Sequence, residues 1–229
     1  MNYLWEQFAV PVFKARTAVF LGGAFRADLS DLGRAVVQGA DIEVFKDDLP
    51  LHIIMQGAAA ENLRVVLNED AGAYMSGAVT DLGAVDVVAR GTGAKLQAGL
   101  FLENKGSADI KIKVRHEADN TLIKVRVHIE AGVGSETLAE AEAIMGRGVK
   151  GAESLIGFKV LADEKLKSLK ISPNQKISSA EVKAGHEAAT FGTDEKQIIF
   201  LSEAGLDNAE ARAALREAFR NETFSHLPV

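Results

Sequence analysis

The 229-residue sequence contains no cysteine. Disulfides, thiolate zinc sites, iron–sulfur clusters and cysteine nucleophiles are all excluded by that one absence. It is the usage of a reducing compartment, or of an assembly that does not depend on cysteine. No apolar run approaches the ~18 uninterrupted residues of a membrane span. The N-terminus lacks a basic region ahead of an apolar stretch, so no secretory signal is expected. Tryptophan occurs once and proline four times. What is present is ordinary for a globular chain: 47% hydrophobic and 25% charged residues, with a net charge of −6. Wholesale disorder is excluded. A compact chain of this size exposes roughly 10,000 Å² of the about 35,000 Å² it exposes unfolded, enough to build a core without staples.

The first forty residues differ from the rest. Tyr3, Trp5, Phe8, Val12, Phe13 and Phe20 crowd into one apolar segment that also carries Lys14 and Arg16. Pro11 interrupts any helix begun at Asn2, and Gly22-Gly23 then punctuates the chain. The pattern predicts a short amphipathic helix, an extended piece and a second helix over Ser30 to Val37. Those six apolar side chains are the candidate interface residues, suited to another subunit or to a membrane surface, with completion of the chain's own core as the equal alternative.

From Asp41 to Glu130 the hydrophobic period moves to two, the strand signature. Strands are predicted over Asp41–Lys46, Leu49–Gln56, Leu63–Leu67, Val85–Ala89 and Leu96–Glu103, with turns at Gly91-Thr92-Gly93 and Asn104–Ser107. The clearest pattern follows. Ile110, Ile112 and Val114 alternate with Lys111, Lys113 and Arg115. Past Ala118–Thr121, Ile123, Val125, Val127 and Ile129 alternate with Lys124, Arg126 and His128. Two such runs joined by a short Asp/Asn turn predict a hairpin with one apolar face. Its other face gathers Lys111, Lys113, Arg115, Lys124 and Arg126, a candidate surface for an anionic partner or lipid, although a solvated or inter-subunit face paired with acids from a neighbouring element is the favoured reading.

The last hundred residues read as mainly helical. Thr137 and Glu140 have capping-box spacing ahead of an Ala/Glu-rich stretch to Met145. Short strands are predicted over Lys159–Leu161 and Leu166–Ile171, with a break at Ser172-Pro173-Asn174. Ser178 and Glu181 have the spacing of another cap, and Gln197–Leu201 is β-prone. Asp207 and Glu210 fit N-cap and N3 of a final helix whose apolar stripe is Ala211, Ala214, Leu215, Ala218 and Phe219.

Motifs that could carry chemistry fail on context. Gly146-Arg147-Gly148-Val149-Lys150-Gly151 spells a dinucleotide fingerprint, but the mechanism needs a strand before it and a helix after it. What precedes it reads as helix, so a glycine-rich break is the better reading. Lys150 is followed by glycine rather than the hydroxyl residue of a phosphate-binding loop. His116-Glu117 and His186-Glu187 begin like a zinc helix and lack the second histidine. The five histidines, His52, His116, His128, His186 and His226, show no convergent spacing. Ser76 lacks the flanking glycine of a nucleophile elbow.

The sequence thus predicts an α+β fold: a central antiparallel β unit, sandwich-like or barrel-like, with helical N-terminal and C-terminal portions. The expected divisions are an apolar arm over 1–40, a β-rich domain over 41–131 and a mainly helical portion over 132–229. No catalytic, cofactor-binding or metal-ligating residue is assigned, and no cofactor is expected. The expected function is a non-enzymatic, self-associating structural scaffold, a subunit of a virion, an appendage or a similar assembly. The alternative is a peripheral membrane or lipid-binding protein; the third is an enzyme with a non-locally assembled site. Expected partners are further copies of the chain, with a membrane surface or anionic partner as alternatives. The acidic charge balance and the lack of interleaved aromatics argue against sequence-specific nucleic-acid binding.

Overall fold

The period-two pattern does not stop at Glu130 but runs on to Phe191, and the fold follows from that persistence. The computed structural model describes residues 15–58, 62–162, 165–192, 194–225 and 227. In chain order the strands are β1 (Arg16–Leu21), β2 (Ala24–Phe25), β3 (Val36–Gln38), β4 (Asp41–Val44), β5 (Leu51–Ala58), β6 (Asn62–Leu67) and β7 (Gly72–Asp81). They continue as β8 (Ala84–Ala89), β9 (Lys95–Asn104), β10 (Ser107–His116), β11 (Leu122–Ala131) and β12 (Glu136–Met145). Three more, β13 (Glu153–Ala162), β14 (Ser168–Ile177) and β15 (Lys183–Phe191), precede two helices, α1 (Glu195–Glu203) and α2 (Asn208–Glu222).

From β4 onward the strands divide between two sheets by parity. One sheet has the order β15-β13-β11-β9-β7-β5-β1-β2, the other β14-β12-β10-β8-β6-β4-β3. From β4 onward each strand crosses to the opposite sheet, and each pairs in parallel with the strand two places on, as in Ile123↔Ser154 and Ile112↔Ala141. This is a flattened parallel β-helix with two strands per coil. Among the described residues, antiparallel pairing occurs at one end, in β1–β2, β3–β4 and the isolated bridge Thr17–Asp31. The expected α+β fold with a central antiparallel unit is therefore corrected to two facing, mostly parallel β layers.

The helical N-terminal and C-terminal portions are corrected with it. The stretch expected to be helical over Ser30–Val37 is a turn containing Gly33 at φ +53°, followed by β3; the nearest helical backbone is one 3₁₀ turn over Ala27–Leu29. The Ala/Glu stretch is β12: Thr137, Ala139, Ala141, Ala143 and Met145 point inward and are buried, while Glu136, Glu140 and Glu142 are half-buried on the outside. Thr137 is a strand residue, not a cap. Ser172-Pro173-Asn174 lies within β14, an edge strand where proline's missing N–H breaks no ladder between sheet neighbours. Ser178 and Glu181 lie in the corner before β15, and the β-prone Gln197–Leu201 is inside α1. The final helix has the predicted cap: Asp207 accepts from the Glu210 N–H, and the Glu210 carboxylate accepts from the Asp207 N–H.

The predicted hairpin is a corner of the coil. β10 and β11 belong to different sheets, although their inward residues Ile112, Val114, Val125 and Val127 are each 2% exposed or less. Alternation fixes which face of a strand is buried and says nothing about which neighbour it pairs with. Inner side chains from Ala18 to Val160 form one continuous core between the sheets.

The corners stack because of a repeated device. Asp70 and Asn120 adopt left-handed backbone (φ 52° and 55°). A Cβ on Gly93 would lie 2.4 Å from Asp70 Oδ1, and one on Gly151 would lie 2.3 Å from Asn120 Oδ1. A side-chain oxygen in one coil thus occupies the space left by a glycine in the next. The glycine-rich segment 146–151 is one such corner, leading into strand β13 rather than into a helix.

Candidate functional site

The two ends of the β-helix differ. The antiparallel strands β2 and β3 close one end, whereas β14 and β15 are the outermost strands of their sheets at the other. By register, Leu169, Ile171, Pro173, Gln175 and Ile177 of β14 and Ala184, His186, Ala188 and Thr190 of β15 continue the inward-facing rows of the preceding coil. Nothing among the described residues stacks on them. Ile177 is 44% exposed, His186 is exposed, and Leu169, Ile171 and Pro173 are half-buried. An open terminal coil thus offers two free strand edges and a strip of core-type side chains at one place. Unpaired edges of this kind are templates for another chain.

Around this end, α2 lies on the outer face of the eight-stranded sheet. Phe219 stacks on His128 (centroids 4.8 Å apart), and the His128 Nδ1–H donates to the Phe219 carbonyl at 3.1 Å. Lys159 pairs with Glu222 at 2.5 Å, and Arg216 with Glu130 at 3.0 Å. Beyond the helix, Phe224 and Leu227 bury Phe101 against Tyr74 and Ala78.

The five predicted cations do not form one patch. Lys111, Lys113 and Arg115 stand on the outer face of the seven-stranded sheet, and Lys124 and Arg126 on that of the other. The corner at residues 117–121 separates the two groups. Carboxylates meet most of them: Asp109 at 2.9 Å from Lys111, Glu142 at 3.7 Å from Lys113, Glu153 at 3.1 Å from Lys124, and Asp86 against Arg115. The side chains of Arg126 and Glu187 both border the space above Gly157. Of the predicted interface residues, Tyr3, Trp5, Phe8, Val12 and Phe13 lie outside the described residues. Phe20 takes the own-core alternative: it is 2% exposed, with its ring 5.5 Å from that of Phe25.

The histidines lie apart. The His52 Nε2 and the Ser76 Oγ share a 2.7 Å hydrogen bond on the outer face of the eight-stranded sheet, and burial pushes His52 down to about 4. Sequence spacing singled out Ser76 but not its partner, because the two sit 24 positions apart on neighbouring strands. With Ser76 at 0% and His52 at 5% exposure, the pair is shut off from substrate. His116 is likewise pushed to about 4 by burial, and its Nδ1 lies 2.7 Å from the Thr121 Oγ1. Thr121 in turn donates to the Ala118 carbonyl, so Nδ1 carries the proton, and the buried Nε2 has no partner among the described residues. Among the described residues, no three of His, Asp or Glu converge as a metal site would require.

Residues 58–219 match the family model described as "SUF system FeS cluster assembly, SufBD core domain". The chain belongs to the SufBD core family. The matched region runs from the end of β5 through the open end and most of α2, so it takes in most of the β-helix and the helix docked on it. No curated protein gives a significant match to the chain. The family description overturns the expected virion or appendage scaffold: a SufBD core is a component of an iron–sulfur assembly system. It also displaces the lipid-surface alternative, whose basic face the fold has already divided between two sheets. Protein partners are in keeping with membership of such a system. Iron–sulfur clusters are ordinarily held by thiolates, and this SufBD chain has none to offer. The cluster, as cargo of the system, does not fit the ligands present here.

Proposed function

We propose that this chain is a cysteine-free partner subunit of an iron–sulfur cluster assembly system, pairing through the open end of its β-helix with a second copy of itself. The thiolates that hold the cargo then belong to another protein of the system. The observation that carries this reading is the uncapped terminal coil within a SufBD core. Its free edges and half-buried Leu169 and Ile171 have no covering element among the described residues. Pro173 in the middle of β14 weakens that strand as a ladder partner. β15, nine residues without proline, is the better edge, and two copies related by a two-fold axis would pair β15 antiparallel to itself.

Light scattering is expected to give twice the chain mass of 24.4 kDa. Ala188→Pro, placed in the middle of β15, is expected to reduce this to the single-chain mass while circular dichroism stays that of a folded β protein. The purified chain, given ferrous iron and sulfide under argon, is expected to develop no stable cluster absorbance unless a thiol-bearing protein is added. A single-chain mass at all concentrations refutes the pairing; a stable cluster on this chain alone refutes the role.

A further inference from the structure

A cleft of about 530 Å³ opens where the end of β15, the start of α1 and the face of α2 meet. It lies on the outer face of the eight-stranded sheet, at the C-terminal end of the edge strand β15. Leu161, Leu215 and Phe219 supply apolar walls, and Phe191 stands at the mouth with 45% of its surface exposed. The Phe191 and Phe219 rings meet edge to face, 6.5 Å apart at 66°. The volume is that of an ordinary small-molecule site.

The charges that line this cleft are almost all accounted for. Arg216 is held by Glu130 at 3.0 Å, and Glu222 by Lys159 at 2.5 Å. Asp194 caps α1 by accepting from the Lys196 N–H at 2.9 Å. Arg212 is the exception: its Nε donates to the neutral Asn208 side chain at 2.8 Å, and its guanidinium meets no carboxylate among the described residues. Gln197, also on the lining, adds a neutral amide. The cleft therefore presents one fork-shaped guanidinium without a carboxylate partner beside the partly exposed Phe191 ring, while Asp194 keeps its negative charge at the α1 cap.

We infer that this cleft binds a small monocarboxylate carrying a flat aromatic body, its carboxylate on Arg212 and its ring against Phe191. A guanidinium takes a carboxylate through two parallel N–H···O bonds, and an aromatic body stacks where an alkyl chain of equal area gains less. A second anionic group would meet Glu222 and Asp194, which limits the ligand to one.

The test uses the full chain, with naphthalene-2-carboxylate as the probe and naphthalene-2-carboxamide as its neutral counterpart, followed by calorimetry and by ligand-observed NMR. The carboxylate is expected to bind saturably with a Kd below about 1 mM, and the amide at least about tenfold more weakly. Arg212→Gln is expected to bring carboxylate binding down to the amide's level. Ala218→Trp is expected to fill the cleft and abolish binding of both. Both positions are exposed on α2, so thermal melts should match the unmodified chain. Equal binding of acid and amide, binding that survives both substitutions, or no saturable binding at all each overturns the assignment.

Discussion

Burial has taken two imidazoles out of the physiological titration range and fixed their part in stability. His116 is 1% exposed and His52 5%, and each titrates near 4 in the folded chain because the charged form would be desolvated. In the unfolded chain both return to about 6.5. Between those limits the unfolded state takes up protons that the folded state refuses. Their contribution is thus fully present above about 6.5 and is lost as pH falls toward about 4. From pH 7 to pH 5 each should remove about 2 kcal/mol of stability. Urea denaturation at the two pH values is expected to show this drop, and His116→Gln, which stays neutral throughout, is expected to shrink it. A pH dependence that is the same in His116→Gln as in the unmodified chain would assign the effect to other groups.

At the scale of the strand, the seven-stranded sheet carries a ladder of alternating sign on its outer face. Asp41, Arg64, Asp86, Lys113 and Glu142 stand side by side in register on five consecutive strands of the sheet. Glu142 ends the row between Lys113 at 3.7 Å and Lys176 at 2.5 Å, and hydrogen bonding to Lys176 holds its carboxyl below the usual range. Glu142→Lys turns two attractions into repulsions and is expected to cost about 1 kcal/mol, since the pairs are partly solvated. The loss should shrink in about 1 M salt, and adding Lys113→Glu should recover part of it; denaturation curves of the three variants check both. The sequence showed the faces of these strands but not their neighbours. Ile112, Val114, Val125 and Val127 were legible as buried because side-chain direction depends only on period. Whether β10 folds back on β11 or crosses to the other sheet depends on the corner backbone at Asn120, which the same Asp/Asn turn signal describes equally well. β12 was misread because alanine and glutamate favour helix in isolation, while their strict alternation, Ala139-Glu140-Ala141-Glu142-Ala143, is a strand pattern. Ile198, Ile199 and Phe200 misled in the other direction: β-prone by type, they are held in α1 behind the Asp194 cap. The open end was not legible at all, because an edge exists only once the order of strands is known.

At the scale of the whole molecule, α2 fastens β11 and β13 from outside through His128, Lys159 and Glu130, but among the described residues no comparable brace crosses β14. Every coil between the sheets touches only the coil before and the coil after it, so the chain behaves as a row of linked units rather than as one block. A row closed at one end and bare at the other should come apart in order, like a zipper with a single slider. Amide hydrogens of β14 and β15 are therefore expected to exchange with deuterium first and those of β7 to β11 last, with mass spectrometry of peptic fragments giving the order. Uniform protection would mean that the coils open together. The same gradient also reports on pairing, because a neighbour seated on β15 blocks the point from which opening starts. Raising the protein concentration should then slow exchange throughout the terminal coil and leave the closed end unchanged, so the solenoid's resistance to unravelling becomes a property of how many copies surround it.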